Sequence, residues 1–246
     1  MRLTALQLIN FRGFDHAAFD FHPQFNVFIG QNGAGKTALM EALAIAAGTW
    51  LKGIAGQRAP TIQRSDARQR GFRENGRDRY EDQYPISITA AGRIHEEDLV
   101  WTRRLGSATG KTTKKEAESL IHKAQEADRD IQDNSPDLVL PLVAYYGAGR
   151  LWESMRVTER RRSKGRDAKR ETSRRSGYND SMDRRINGQS FATWMEHEDR
   201  IGYEQGAPTV YYETVCQAAA AMLQDVRSVR YSPSAVSVVA EFEDGR

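Results

Sequence analysis

The sequence predicts an α/β fold with an antiparallel N-terminal hairpin, a mixed core sheet and inserted segments, and three observations predict it. Apolar residues crowd Leu3 to Phe11, a stretch that turns back around Gly13-Phe14-Asp15 onto Phe19 to Phe21. A mostly apolar run, Phe25 to Ile29, leads straight into a glycine-rich loop and reads as a third, core strand. Directly after the loop, Leu39, Leu43, Ala46, Ala47 and Trp50 recur at helical spacing, which predicts a helix over Thr37 to Trp50 with Gly48 near its end.

The remaining elements follow in order. Residues 52–84 are polar, arginine-rich and weakly periodic, the pattern of a polar insertion that is mobile or lies along the surface. Tyr84 to Ala90 and Asp98 to Leu105 read as paired strands, joined by a turn around Ala91-Gly92 and the polar segment Arg93 to Glu97. Thr113 to Ile131 reads as a helix. Asp137 to Tyr146, rich in leucine and valine, reads as a strand inside the main sheet, ending in Gly147-Ala148-Gly149-Arg150. A basic insertion, residues 151–185, comes next. Ser190 to His197 and Val210 to Val226 read as helices, and Val229 to Ser232 and Ala235 to Phe242 as strands separated by Ser232-Pro233-Ser234.

Length and composition bound the function. A chain of 246 residues with 39% hydrophobic content holds one large α/β domain or two small ones. Its longest apolar runs, such as Val139 to Ala144, are too short for a bilayer, and no charged leader with an apolar stretch opens the chain, so a cytoplasmic protein without a membrane partner is expected. Cys216 is the only cysteine, which excludes a disulfide framework and a thiolate metal site; it reads as a small core residue. The five histidines lack metal-ligand spacing. Net charge is a mild +3, but its distribution is uneven. Arg160, Arg161, Arg162 and Lys164 sit in a dense run of cations from Arg156 to Arg175, a candidate contact for nucleic acid or a partner, against the plain alternative of a solvated loop.

The strongest motif is Gly30-Gln31-Asn32-Gly33-Ala34-Gly35-Lys36-Thr37, which fits G-x-x-x-x-G-K-[ST]. By average residue usage this pattern arises by chance about once in a hundred chains of this length, and the flanking strand and helix are the context it needs. Gly30, Gly33 and Gly35 supply a tight turn whose backbone N–H groups, with those of Gln31, Asn32 and Ala34, are placed to cradle the phosphates of ATP. Lys36 is the catalytic candidate, a compact cation for the β- and γ-phosphates, and the Thr37 hydroxyl is the candidate ligand for Mg2+. Gly106-Ser107-Ala108-Thr109-Gly110-Lys111-Thr112 is similar but one residue short between its glycines, and reads as a flexible turn.

Leu6-Gln7-Leu8-Ile9-Asn10-Phe11-Arg12-Gly13-Phe14 together with the Gly30 to Thr37 loop resembles the RecF/SMC-like branch of ABC-type ATPases, whose heads open with an N-F-R strand, a hairpin and a G-x-N-G-x-G-K-[ST] loop. The resemblance implies an ABC-ATPase-like P-loop head, with Arg12 against the nucleotide and Asn32 near the γ-phosphate and attacking water. The residues alone leave Arg12 as a surface arginine and Asn32 as a turn former open. More narrowly, Leu140 to Trp152, Ser176-Gly177-Tyr178 and Trp194 resemble the bacterial ATPases of the anti-phage Septu and retron-associated PtuA group. That likeness implies a nucleotide-driven switch in bacterial defence, a homo-oligomer through a head-to-head ATP sandwich, acting with DNA or a nuclease partner. An ATP-dependent scaffold with negligible turnover and a DNA-repair ATPase stay as alternatives; the early hairpin and basic insertion argue against a small-molecule kinase.

The chain also departs from the family pattern. No apolar run ends in Asp-Glu, and no L-S-G-G or L-S-D-G signature occurs; Glu241, Glu243 and Asp244 are the nearest acids. In the family these elements come later, so residues 1–246 are expected to be the N-terminal lobe of a head whose C-terminal lobe is missing. No glutamine stands clearly after the Asp137 to Tyr146 strand, and Tyr146 or Arg150 is left for the nucleotide-sensing position.

Overall fold

The structure, a computed structural model, describes residues 1–133, 135, 138–147, 174–183 and 188–245. These fall into two compact units, residues up to 183 forming the first and 188–245 the second.

The strands of the first unit are β1, Arg2–Phe11, β2, Phe14–Asp20, β3, Gln69–Glu74, β4, Arg77–Asp82, β5, Ile86–Ile94, and β6, Glu97–Leu105. Four of them form an antiparallel sheet in the order β2-β1-β5-β6. Register sets Leu6 beside Phe19 and Ala90, Leu8 beside Ala17 and Ile88, and Ala90 beside Trp101. Alternate positions of β1 and β5 thus share one buried face. Across that face lies α1, Lys36–Ala47, followed by a 3₁₀ turn, Gly48–Lys52, and α2, Glu118–Gln132. Leu39, Ala42, Ile45 and Ala46 bury the core side of α1, while Leu120, Ile121, Ala124 and Ala127 do so for α2. The Trp101 indole donates to the Ala46 carbonyl at 3.0 Å, and the Trp50 indole donates to the Tyr178 hydroxyl at 3.2 Å. Tyr178 in turn donates to the Pro141 carbonyl at 2.7 Å, and burial pushes its pKa up. Both indoles are fully buried, so these bonds leave no costly orphan donors.

Several expectations need correction. Phe25 to Ile29 is not a strand: no ladder joins it to a neighbour among the described residues, and Phe25, Val27 and Ile29 are 76%, 63% and 92% exposed. Asp137 lies outside the described residues, and 138–147 also lacks a ladder, although burial alternates from Pro141 to Gly147 as a strand's would. Neither segment enters a sheet; the 138–147 backbone is held by other contacts, the Tyr145 N–H donating to the Ser181 carbonyl at 2.7 Å and the Pro141 carbonyl accepting from Tyr178. Residues 52–84 are more ordered than their composition suggested. A 3₁₀ turn, Arg64–Asp66, leads into the hairpin of β3 and β4, closed by Asn75-Gly76 with φ of 50° and 75°. The Asn-Gly pair was the sequence signal for this turn. Ala91-Gly92 is no turn but part of β5, where a Cβ on Gly92 would come within 2.6 Å of the Arg2 carbonyl at an irregularity in β1; the reversal falls at His95-Glu96, within the polar segment Arg93 to Glu97.

In the second unit, helices Gly188–Gln205 and Val210–Met222 pack with an antiparallel hairpin, Val226–Ser232 and Ser237–Phe242. The first helix is longer than its pattern predicted and the second shorter. Thr209 caps the second by accepting from the Tyr212 N–H at 3.1 Å. Cys216 is only half-buried rather than a core residue, and desolvation raises its thiol pKa.

Candidate nucleotide-binding site

The glycine-rich loop is built as its residue types demand. Gly33 and Gly35 take φ of 85° and 89°, the left-handed region that side chains with a Cβ avoid. Gly35 is also the N-cap of α1, and no side chain caps the helix nor is any acid in its first turn. The first-turn N–H groups therefore face outward with the positive end of the helix dipole, an arrangement that suits an anion. Below the loop, the Phe14 ring would lie 2.8 Å from a Cβ on Gly35, so the hairpin packs directly under the turn. Phe14 is held edge-on by Phe19, with ring centroids 5.8 Å apart. The phenylalanine that closes the N-F-R-G-F stretch thus fixes the loop's height above the sheet.

Lys36 turns its ammonium back over the loop and donates to the carbonyls of Gly30 at 2.6 Å and Gln31 at 2.7 Å. Two neutral acceptors hold the cation without neutralising it. Gly30, Gln31, Asn32, Gly33 and Ala34 are all exposed, so the cradle is open to solvent. Phosphate groups fit this donor set: backbone N–H groups, one retained ammonium charge and the Thr37 hydroxyl on the first turn.

Arg12 is held by two acids, one of them on α1. Its φ of 51° turns the chain so that its N–H donates to the Asp66 carbonyl at 2.7 Å, and its Nε and Nη2 both reach Asp66 Oδ1 at 2.9 Å. Nη2 also pairs with Glu41, one turn beyond Thr37 on α1. Asp66 and Glu41 are 3% and 6% exposed, and their pairing with Arg12 ties the hairpin, α1 and the 3₁₀ turn together. Sequence reasoning missed both acids; Glu41 falls on an apolar helix face, where a charge is a signal of pairing. Arg12 also lines an open cleft of about 700 Å³ with Arg64, Ser65, Ala67, Gln69 and Asp82. Arg160, Arg161, Arg162 and Lys164 lie outside the described residues, as does Arg150. Among the described residues no group of three histidine, cysteine or acidic side chains is arranged to hold a metal, and no helix is long and apolar enough to cross a membrane.

A glycine turn in the left-handed region, an uncapped helix start and a lysine folded over the loop define a P-loop nucleotide-binding protein. The AAA domain family model AAA_23 matches residues 5–192, and the chain belongs to that family of ATPases. It is similar to the DNA replication and repair protein RecF of Lactococcus lactis subsp. lactis, at 49% identity over 43 residues, 18% of this chain and 12% of that protein. RecF of Colwellia psychrerythraea is likewise 49% identical over 43 residues, 18% and 11% of the two chains. RecF of Lysinibacillus sphaericus is 43% identical over 47 residues, 19% and 13%. The matched stretch thus spans only about an eighth of these relatives. A solved structure from work on ATP-driven dimerization and DNA stimulated activation of SMC ATPases covers 57% of this chain and 87% of its own, at 17% identity and a TM-score of 0.34.

Proposed function

We propose that the protein binds and hydrolyses ATP as a nucleotide-driven switch of the RecF/SMC-like type, acting with DNA or a nuclease partner in bacterial anti-phage defence. The observation that carries the reading is the loop itself: Gly33 and Gly35 in the left-handed region, an uncapped α1 and Lys36 held by neutral carbonyls. ATP would supply the triphosphate charge, and Mg2+ held with it would neutralise part of that charge. Within the protein, the loop N–H groups hold the phosphates, Lys36 exchanges two carbonyl contacts for phosphate oxygens, and Thr37 offers its hydroxyl to the metal. Arg12, the candidate nucleotide contact, pairs with Asp66 and with Glu41, one turn beyond Thr37 on α1. Its acid partners hold the guanidinium in place before ligand arrives.

The reading includes a second lobe. Phe25, Val27 and Ile29 expose one apolar row, and Leu142 and Tyr146, at 95% and 71% exposure, form another. Further strands supplied by a C-terminal lobe would cover both rows and carry the missing acid and signature, and two such heads would enclose ATP between them. The experiment is ATP turnover by the full-length protein, with and without duplex DNA, alongside its mass by light scattering. Turnover and an ATP-dependent doubling of mass are expected. ATP binding with no turnover under any condition would contradict the enzyme and leave a nucleotide-dependent scaffold.

A further inference from the structure

The connection from β6 to α2 concentrates positive charge more than any composition average suggests. Residues 103–116 hold Arg103, Arg104, Lys111, Lys114 and Lys115 against one acid, Glu116, a net +4 that exceeds the +3 of the whole chain. Folding gathers these charges. Arg103 runs inward and is 1% exposed, its Nε donating to the Thr113 carbonyl at 3.0 Å and its Nη1 to the Thr49 hydroxyl at 3.2 Å. Both acceptors are neutral, and among the described residues no carboxylate lies within ion-pair distance of it. A guanidinium keeps its proton even when burial opposes the charge, so Arg103 is a fixed, uncompensated cation beneath the surface. Lys52, at the end of the 3₁₀ turn after α1, has its pKa lowered by burial first and then by Arg103 and Lys114. Arg104 reaches Glu116 at 3.4 Å, which accounts for the stretch's one acid.

Over this cluster, residues 106–111 are exposed and small apart from Lys111, with the Gly110 N–H closing a turn on the Ser107 carbonyl at 3.1 Å. The one large apolar side chain of the stretch, Leu105, is buried. The loop is not a second nucleotide cradle, because its lysine is followed by irregular chain rather than by a helix start.

We propose that the loop of residues 106–115, with Lys52 and Arg104 beside it, is a docking surface for the phosphate backbone of nucleic acid. The proposal rests on the reading of the protein as an ATPase that acts with DNA. A protein partner would need aromatic or apolar anchors, which this surface lacks. A polyanion needs only cations and close approach, and small residues allow that approach.

The test is the Lys111→Ala, Lys114→Ala, Lys115→Ala triple variant of the full chain, titrated with mixed-sequence duplex DNA between about 50 and 200 mM salt. DNA affinity at low salt is expected to fall about tenfold or more, and the slope of log affinity against log salt to flatten by about 0.9 for each phosphate that is no longer neutralised. ATP affinity, measured in parallel, is expected to stay at the wild-type value, so a failure of ATP binding in the wild type would count against the ATPase reading separately. A triple variant with wild-type DNA affinity and slope overturns the docking surface, as does a wild type that binds no DNA. A variant that loses binding to polyglutamate while keeping DNA binding overturns it in favour of an acidic protein partner.

Discussion

The sheet of β1, β2, β5 and β6 and the two segments 25–29 and 138–147 carry comparable apolar patterns, yet only the sheet is complete. Its hairpins close through short reversals: Gly13 between β1 and β2, His95-Glu96 between β5 and β6. Segment 25–29 is mostly apolar and 138–147 alternates in burial from Pro141 to Gly147, yet neither has a strand to pair with among the described residues. The β1–β2 and β5–β6 ladders are local hairpins, and the β1–β5 ladder that joins them pairs residues as far apart as Leu8 and Ile88, so a strand's distance from its neighbour does not separate the two cases; the presence of a pairing partner does. Apolar content alone thus marks where a sheet will be, but partner strands decide whether it forms.

The difference can be broken at several points. In the finished core, Trp50→Ala removes a fully buried indole and its bond to Tyr178, and is expected to cost about 3–5 kcal/mol, read as a lower midpoint in denaturant titration. Arg12→Ala leaves Glu41 and Asp66 buried without their cation and is expected to cost up to about 3–5 kcal/mol, discounted because the arginine is partly exposed. Adding Glu41→Gln to that variant should recover part of the loss; no recovery would mean that the pair does not hold α1 to the hairpin. On the unpaired segments, Ile29→Ser and Leu142→Ser are expected to change the stability of the 246-residue chain by less than about 0.5 kcal/mol. The same substitutions should destabilise the full-length protein clearly if a second lobe covers those rows, and equal, small effects in both would contradict the covering.

What was legible in the sequence follows the same division. Gly30 to Thr37, the hairpin beneath it and the helix after it were readable because each rests on local rules: glycine conformations, a turn, helical spacing. The Asn75-Gly76 hairpin was equally local and was hidden by the charge of residues 52–84. Glu41 and Asp66 were not readable as partners of Arg12, since 29 and 54 positions separate them from it and only the fold brings them together. Phe14 looked like a hairpin residue; its place under Gly35 depends on how α1 crosses the sheet.

The central claim is that Lys36 and its loop hold ATP. The direct measurement is ATP affinity by calorimetry for the wild type and for Lys36→Ala, with a thermal melt to confirm that both are folded. The ammonium donates to two loop carbonyls and to no core group, so the melt should be nearly unchanged while ATP affinity falls at least about a hundredfold. A folded Lys36→Ala protein that binds ATP as tightly as the wild type would contradict the account.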